Sequence, residues 1–427
     1  MFELHLKSGK EDHENEKNSR DRTDHCGAGL QIAEAAEDFC LQYAFPIVMP
    51  ALSSRKPQAP RTVGKPCIKG ERPDMDKLSV HLSLGRRASE RDYIQAERLC
   101  EFYGFQVVST GRDRGETLRP EYMETCDVVI ADLRKWEAGE PEPGVVFDLG
   151  IGYGKRKRLY GFVSDARDLI HRYPYAYFGG HRFPMDQYGL RFTTAWSVGN
   201  LMYSVPTKIV EGGMELCVKT VWYDRIEALK QRGQRIQPLT DHRFKKRWIP
   251  GKGHKAYLAG YECFYENEEA LGEVMICLCR ENGFDADFPT RRIEGLKELT
   301  LEEQMDATVG MGATFDKNQY KILLSDIIIA NMNPYHGLQP DMGTVFELGM
   351  AAGLGHLCVA FFSVDKDVLT QGMPRSRGWL VERRRYEPRE YERYLRELFG
   401  DTPCYVRGTF SDAVRFVNNK LIRKKEE

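Results

Sequence analysis

Short apolar runs alternate with stretches of helical period along most of this chain. VHLSL (80–84), DVVIADL (127–133) and LYGFV (159–163) are nearly continuous aliphatic or β-branched runs, and AYLAG (256–260) and IIIAN (327–331) repeat the pattern further on. Runs of this length without polar alternation are expected of strands covered on both faces, as in a parallel sheet. Between them lie segments of helical period, so the order strand, helix, strand predicts an open α/β sheet with helices on both sides.

The pattern occurs twice. LSVHLSLG, a helical stretch ending LCEFYGFQVV, CDVVIADL and EPGVVFDLGIGYGKRKRLYGFV are followed later by HKAYLAG, a stretch ending LCRENGFDADFP, SDIIIANM and DMGTVFELGMAAGLGHLCVAFF. Asp127 precedes Asp148 by 21 positions, and Asp326 precedes Glu347 by the same 21. Gly144, Gly150 and Gly154 align with Gly343, Gly349 and Gly353. Each unit is domain-sized, so the expectation is tandem duplication of a doubly wound, flavodoxin-like parallel sheet, the two copies packing as a pseudo-dimer. The boundaries read as 1–76 for a polar, proline-rich extension, 77–230 for the first repeat, 231–254 for a basic linker and 255–427 for the second repeat. Residues 1–28 have the charge-rich composition of disorder, GLQIAEAAEDFCLQ (29–42) has the period of a short helix, and six prolines between 46 and 74 read as linker.

Composition narrows the function. A charged fraction of 29% against 41% hydrophobic fits a globular chain of 427 residues, and a net charge of -1 supplies no field to hold a nucleic-acid polymer or an acidic membrane. The basic run at 231–255 reads as a solvated tether. No apolar run approaches the roughly 20 residues that span a bilayer, and the N-terminal segment lacks the apolar core of a secretion signal. The eleven scattered cysteines are then expected to be reduced thiols of a cytoplasmic protein. Cys277 and Cys279 point in different directions from a helix, which does not suit tetrahedral zinc, so no metal is expected. His336, in NPYHG, reads as turn chemistry.

Glu347 is the anomaly. It stands among Gly, Ala and Met, and in a helix opening near Met342 it shares a face with Gly343 and Thr344. Small residues there leave room above the carboxylate for a ligand at the carboxyl edge of the sheet. Asp341, Asp326 and the Tyr257 hydroxyl are candidates to converge on it. The competing expectation makes Asp341 an N-cap, Asp326 a turn residue and Glu347 a solvated helix residue. Gly349 and Gly353 fall on another face, expected to lie close to the sheet.

AYLAG-x-x-x-F (256–264), SDIIIAN and PDMGTVFELGMA, in that order, resemble the nucleoside 2-deoxyribosyltransferase family. The resemblance implies N-glycosidic exchange or cleavage on a 2'-deoxynucleoside, with a free nucleobase as second substrate, no cofactor, and a place in nucleotide salvage. It implies Glu347 as nucleophile on C1', Asp326 as proton shuttle to the base, and Tyr257 as hydrogen-bond donor to the nucleophile. Asp341, Gly260, Gly343 and the aromatic Phe264 would hold substrate. In the first repeat Asp148 stands at the nucleophile position, Glu142 at that of Asp341, and Leu82 at that of Tyr257, so this copy is expected to be catalytically degenerate. Its tail, MDQYGLRFTTAWSVGNLMYS (185–204), resembles the family segment whose Asn reaches into a neighbouring subunit's site to hold the sugar 5'-hydroxyl; the match is Asn200. The second tail, SRGWLVERRRYEPREYERYLRELFG, lacks that motif. Alternatives are a hydrolase of 2'-deoxynucleoside 5'-phosphates, which the Asp341 charge disfavours, and a non-catalytic nucleotide sensor.

Overall fold

A computed structural model describes residues 77–110, 123–136, 139–178, 181–184, 197–230, 253–265, 267–291, 309–335, 338–363 and 387–426. The extension 1–76, most of the 231–254 linker, the 185–196 part of the Asn200 tail, His336, and the stretch 376–386 of the second tail lie outside the described residues. In chain order the first half runs β1 (Leu78–Ser83), α1 (Glu90–Phe102), β2 (Phe105–Thr110), β3 (Val128–Asp132), α2 (Pro143–Gly154), β4 (Arg158–Val163), α3 (Leu169–Arg172), β5 (Tyr175–Phe178), β6 (His181–Pro184), α4 (Leu201–Ser204), β7 (Lys208–Glu211) and α5 (Met214–Lys230). The second runs β8 (Lys255–Ala259), a 3-10 turn (Tyr261–Phe264), α6 (Glu268–Glu281), β9 (Asp285–Asp287), α7 (Val309–Leu323), β10 (Ile327–Asn331), α8 (Met342–Gly353), β11 (Leu357–Phe362), α9 (Pro388–Phe399), β12 (Cys404–Arg407) and α10 (Phe410–Glu426).

The strands make two five-stranded parallel sheets, ordered β2-β1-β3-β4-β7 and β9-β8-β10-β11-β12, beside a small antiparallel hairpin of β5 and β6. Each large sheet has the 2-1-3-4-5 order of a doubly wound flavodoxin-like fold. The apolar runs take the places their composition demands: all five residues of β10 are buried, as a central strand covered on both faces requires. The switch point of the second sheet lies between β8 and β10, where Tyr257 pairs with Ile328.

Apart from Asp148 in α2 and Thr344 and Glu347 in α8, both helices are apolar around their circumference, and every residue of α8 is buried. A helix of that kind needs cover on all sides. Each has its own sheet on one side and the other helix across the middle of the molecule. The glycines make this approach possible, and they face a helix, not the sheet as the spacing suggested. A Cβ on Gly150 would collide with the Phe346 carbonyl, and one on Gly349 with the Phe147 carbonyl. Gly154 and Gly353 stand in the same way against the carbonyls of Met350 and Ile151. Phe147 packs tilted on Phe399 of α9, so the second half's late helix also lies on α2.

Candidate active site

The loop after β10 carries the chain across the carboxyl edge of the second sheet and starts α8 there. Asp341 is the N-cap: its Oδ2 accepts from the Thr344 backbone N–H and hydroxyl, both at 2.8 Å. This cap fixes the first turn and with it the direction of Glu347 two turns in. Tyr257, fully buried on β8, donates its hydroxyl to Glu347 Oε1 at 2.7 Å. Asn318 of α7 donates its amide to the same oxygen at 3.3 Å.

Above this group lies a cavity of about 160 Å³. Glu347, Asp341, Gly343, Gly260, Phe264 and Asn200 line it. Asn200 comes from the first half. It caps α4 by accepting from the Met202 N–H at 2.9 Å, and its side chain stands against Gly343, where a Cβ would meet both Asn200 Nδ2 and Asp341 Oδ2 at 3.1 Å. Gly343 is therefore the residue that lets Asn200 and Asp341 come together over Glu347. At Gly260, a Cβ would strike the carboxylate of Glu262, itself buried and held by the Asn331 amide at 2.7 Å. Phe264 ends the turn that follows and leans on Tyr335, with ring centroids 6.1 Å apart, while Tyr261 stacks on the same Tyr335 ring at 5.1 Å. Of these rings Phe264 lines the cavity and gives it an aromatic wall, with Tyr335 packed against it.

Burial governs the electrostatics. Desolvation pushes the Glu347 carboxyl up to about 8, opposed by the Tyr257 hydrogen bond and supported by the nearby Asp341 charge. Asp341 is also raised by burial, with the Thr344 bonds opposing. The Tyr257 phenol is driven well above its ordinary range by burial and by the Glu347 charge, so it stays a donor. Beneath the wall formed by Pro289 and Thr290, the buried Lys321 ammonium donates to the carbonyls of Phe288 at 2.6 Å, Pro289 at 2.9 Å and Arg291 at 2.6 Å. Desolvation lowers it to about 7. Among the described residues no cluster of His, Cys, Asp and Glu suits a metal ion.

Asp326 is not in this group. It precedes β10, at the amino edge of the sheet, where its carboxylate accepts from the Lys255 N–H at 2.8 Å and pairs with His254 Nδ1 at 2.5 Å. Its own N–H bonds the Lys255 carbonyl. Asp127 does the same in the first half, accepting from the Ser79 N–H at 2.9 Å and hydroxyl at 2.6 Å and donating to the Ser79 carbonyl. The aspartate 21 positions ahead is a clamp joining two strand starts in each sheet, and the shuttle role is corrected accordingly. A second correction concerns Leu82. Because Ser79 and Lys255 hold equivalent clamps, His81 and not Leu82 stands at the position of Tyr257, paired with Val129 as Tyr257 is with Ile328. His81 Nε2 lies 3.7 Å from Asp148 Oδ2, which also accepts from the Ser83 hydroxyl at 2.6 Å, and His81 Nδ1 bonds Ser109 Oγ at 2.7 Å. Glu142 there receives the Arg86 N–H, and the Arg86 guanidinium lies 3.0 Å from Glu397 and over the Tyr394 ring of α9. Side chains thus close over the first sheet's equivalent edge.

The family model for nucleoside 2-deoxyribosyltransferase matches residues 256–388. That stretch of the chain is similar to nucleoside 2-deoxyribosyltransferases. A solved 2-desoxiribosyltransferase from Leishmania mexicana is 28% identical over a match covering 25% of this chain and 63% of that protein, with a TM-score of 0.20. The chain therefore matches less than two thirds of that protein's length. The comparison with curated proteins gives no match. The matched residues contain the Asp341 cap, Glu347 and the Tyr257 donor, whereas Asn200 lines the cavity from outside them.

Two residues of the site escaped the sequence reading. Asn318 and Lys317 sit with Thr314 on one side of α7, the polar side of a helix whose Phe315 and Ile322 are buried. Polar residues at spacing i, i+3, i+4 look like a solvated face unless one knows that the face meets a cavity.

Proposed function

We propose that this protein exchanges or cleaves the N-glycosidic bond of a small 2'-deoxynucleoside through an ester between C1' and Glu347. The observation that carries the reading is the Glu347 carboxylate, buried at the floor of a cavity and oriented by Tyr257 at 2.7 Å and Asn318 at 3.3 Å. Two donors on one oxygen leave the other to attack. The transition state carries positive charge on the sugar, and a desolvated carboxylate stabilises such charge more strongly than one in water. Glu347 starts near half-ionised above neutral pH, and the developing cation favours its ionised form. Asn200 holds the sugar's 5' end, Asp341 the sugar's polar edge, and Phe264 the flat face of the base. The first half supplies Asn200 and no chemistry, so the two halves work as the two subunits of a dimer would, with one open site.

The test is incubation with a deoxynucleoside, with and without a second base. Exchange supports a transferase and loss of the base to water supports a hydrolase. Binding without turnover overturns the catalytic reading in favour of a nucleotide sensor.

A further inference from the structure

With Asp326 at the opposite sheet edge, the departing base lacks the acid that the sequence assigned to it. A base leaving C1' with the bonding electron pair needs a proton or a positive charge beside it. Among the described residues lining the cavity, Lys317 is the one cation. It stands on α7 next to Asn318, the donor to Glu347, and one turn after Thr314, which also lines the cavity. It makes no hydrogen bond or ion pair with any described residue, in contrast to Lys321 one turn further on, whose three protons are all given to carbonyls. Cys263 and its neighbour Phe264 line the same cavity as Lys317. Asp341, the other acid in the cavity, is tied to Thr344 and stands beside Asn200.

Resting on the Glu347 reading, we propose that Lys317 is the catalytic acid for the departing base. The C1'–N bond breaks and its electron pair moves onto the base. Glu347 bonds to C1', and the Lys317 ammonium passes a proton to a ring nitrogen or carbonyl oxygen of the base, leaving a neutral amine. In the second half-reaction an incoming base or water attacks C1', the ester opens, and the proton lost by the attacking group returns to the amine. Burial lowers the Lys317 pKa below that of an ordinary lysine. That brings the ammonium nearer to the range in which proton transfer to a base is efficient. The titratable groups facing it from the other elements are the Glu347 and Asp341 carboxyls of α8 and the Cys263 thiol, which burial keeps protonated.

The experiment compares leaving groups in the full chain. Natural deoxynucleosides need a proton to depart. 7-Methyl-2'-deoxyguanosine, for the purine case, and nicotinamide 2'-deoxyriboside, for the pyrimidine-sized case, carry cationic rings that leave as neutral molecules without one. Lys317→Met and Lys317→Gln should lower kcat on the natural substrate by about a hundredfold, the usual scale of general acid catalysis, and change kcat on its cationic counterpart by less than about threefold. Lys317 has no hydrogen-bond or ion-pair partner among the described residues, and the cationic substrate serves as the control for a folding defect. Equal losses on both substrates, or no loss on either, overturn the proposal. Retained turnover in Glu347→Ala overturns the nucleophile reading separately, since the leaving-group comparison at Lys317 is made without that variant.

Discussion

At the residue scale, one carboxyl group links stability and activity. Burial raises Glu347 to about 8, far above an exposed glutamate. A group whose folded pKa is raised stabilises the fold fully below its unfolded pKa, and that contribution is lost as pH rises through the folded value. Glu347→Gln should therefore raise the melting temperature at pH 8.5 and raise it much less at pH 5, at roughly 2–4 °C for each kcal/mol recovered. An unchanged pH dependence of melting would remove the desolvation account. The same variant, like Glu347→Ala, should abolish base exchange, and a slow 2-fluoro substrate should trap a sugar adduct on the wild-type Glu347 peptide. On the proposed mechanism the attacking form is the ionised one, so kcat/KM should rise with pH up to about 8. Tyr257→Phe removes a donor that favours the ionised form, so the rising limb should move to higher pH. A limb that stays in place would mean that Tyr257 does not tune the nucleophile.

At the element scale, the contact between α2 and α8 is the feature on which the site depends, because α8 carries both the Asp341 cap and Glu347. Gly349→Ala would drive a methyl group into the Phe147 carbonyl. Backbone cannot yield as a flexible side chain can, so the helices must separate, at a cost of about 1–3 kcal/mol by the usual measure of overpacking. Thermal denaturation should show the loss, with activity falling in parallel as Glu347 shifts against Tyr257; unchanged stability would mean that the helices have slack at this point. Elements of this kind were readable in advance to different degrees. The central strands were legible because IIIAN and DVVIADL have no polar alternation. Glu347 was legible because it broke the pattern of its helix. Asp326 was misread because its spacing to Glu347 recurs in both halves, and a recurring spacing reports a structural clamp as readily as a site. Leu82 was misplaced by a single residue, and in a strand one residue is the difference between the two faces. Lys317 and Asn318 gave no signal, since nothing in the 309–323 stretch tells which polar face of α7 meets a cavity.

At the scale of the whole molecule, the question is why two sheets serve one cavity. The close contacts between α2 and α8 come in exchanged pairs: Gly150 with Phe346 and Gly349 with Phe147, then Gly154 with Met350 and Gly353 with Ile151. Each residue and its counterpart are offset by 199 positions, from 147 and 346 to 154 and 353. Contacts that exchange in this way are those of an isologous dimer interface, which favours the proposal that two copies of one fold here pack within a single chain. The copies then differ where chemistry is concerned. One edge is closed by the Arg86–Glu142 pair and by Tyr394 and Glu397 of α9, while the other stays open and receives Asn200. Asp148→Asn, which leaves an acceptor for the Ser83 hydroxyl, should change the exchange rate by less than about tenfold, because loss of a real acid or base usually costs more. Asn200→Ala should weaken substrate use by roughly 1–3 kcal/mol, the cost of leaving a buried polar partner unsatisfied, and the loss should shrink for a 5'-deoxy substrate that lacks the hydroxyl. Kinetics on the two variants with both substrates separates the cases. A collapse with Asp148→Asn would place chemistry in the first half. An Asn200→Ala penalty that is the same with and without the 5'-hydroxyl would leave Asn200 only as the cap of α4, and would make the site the property of the second half alone.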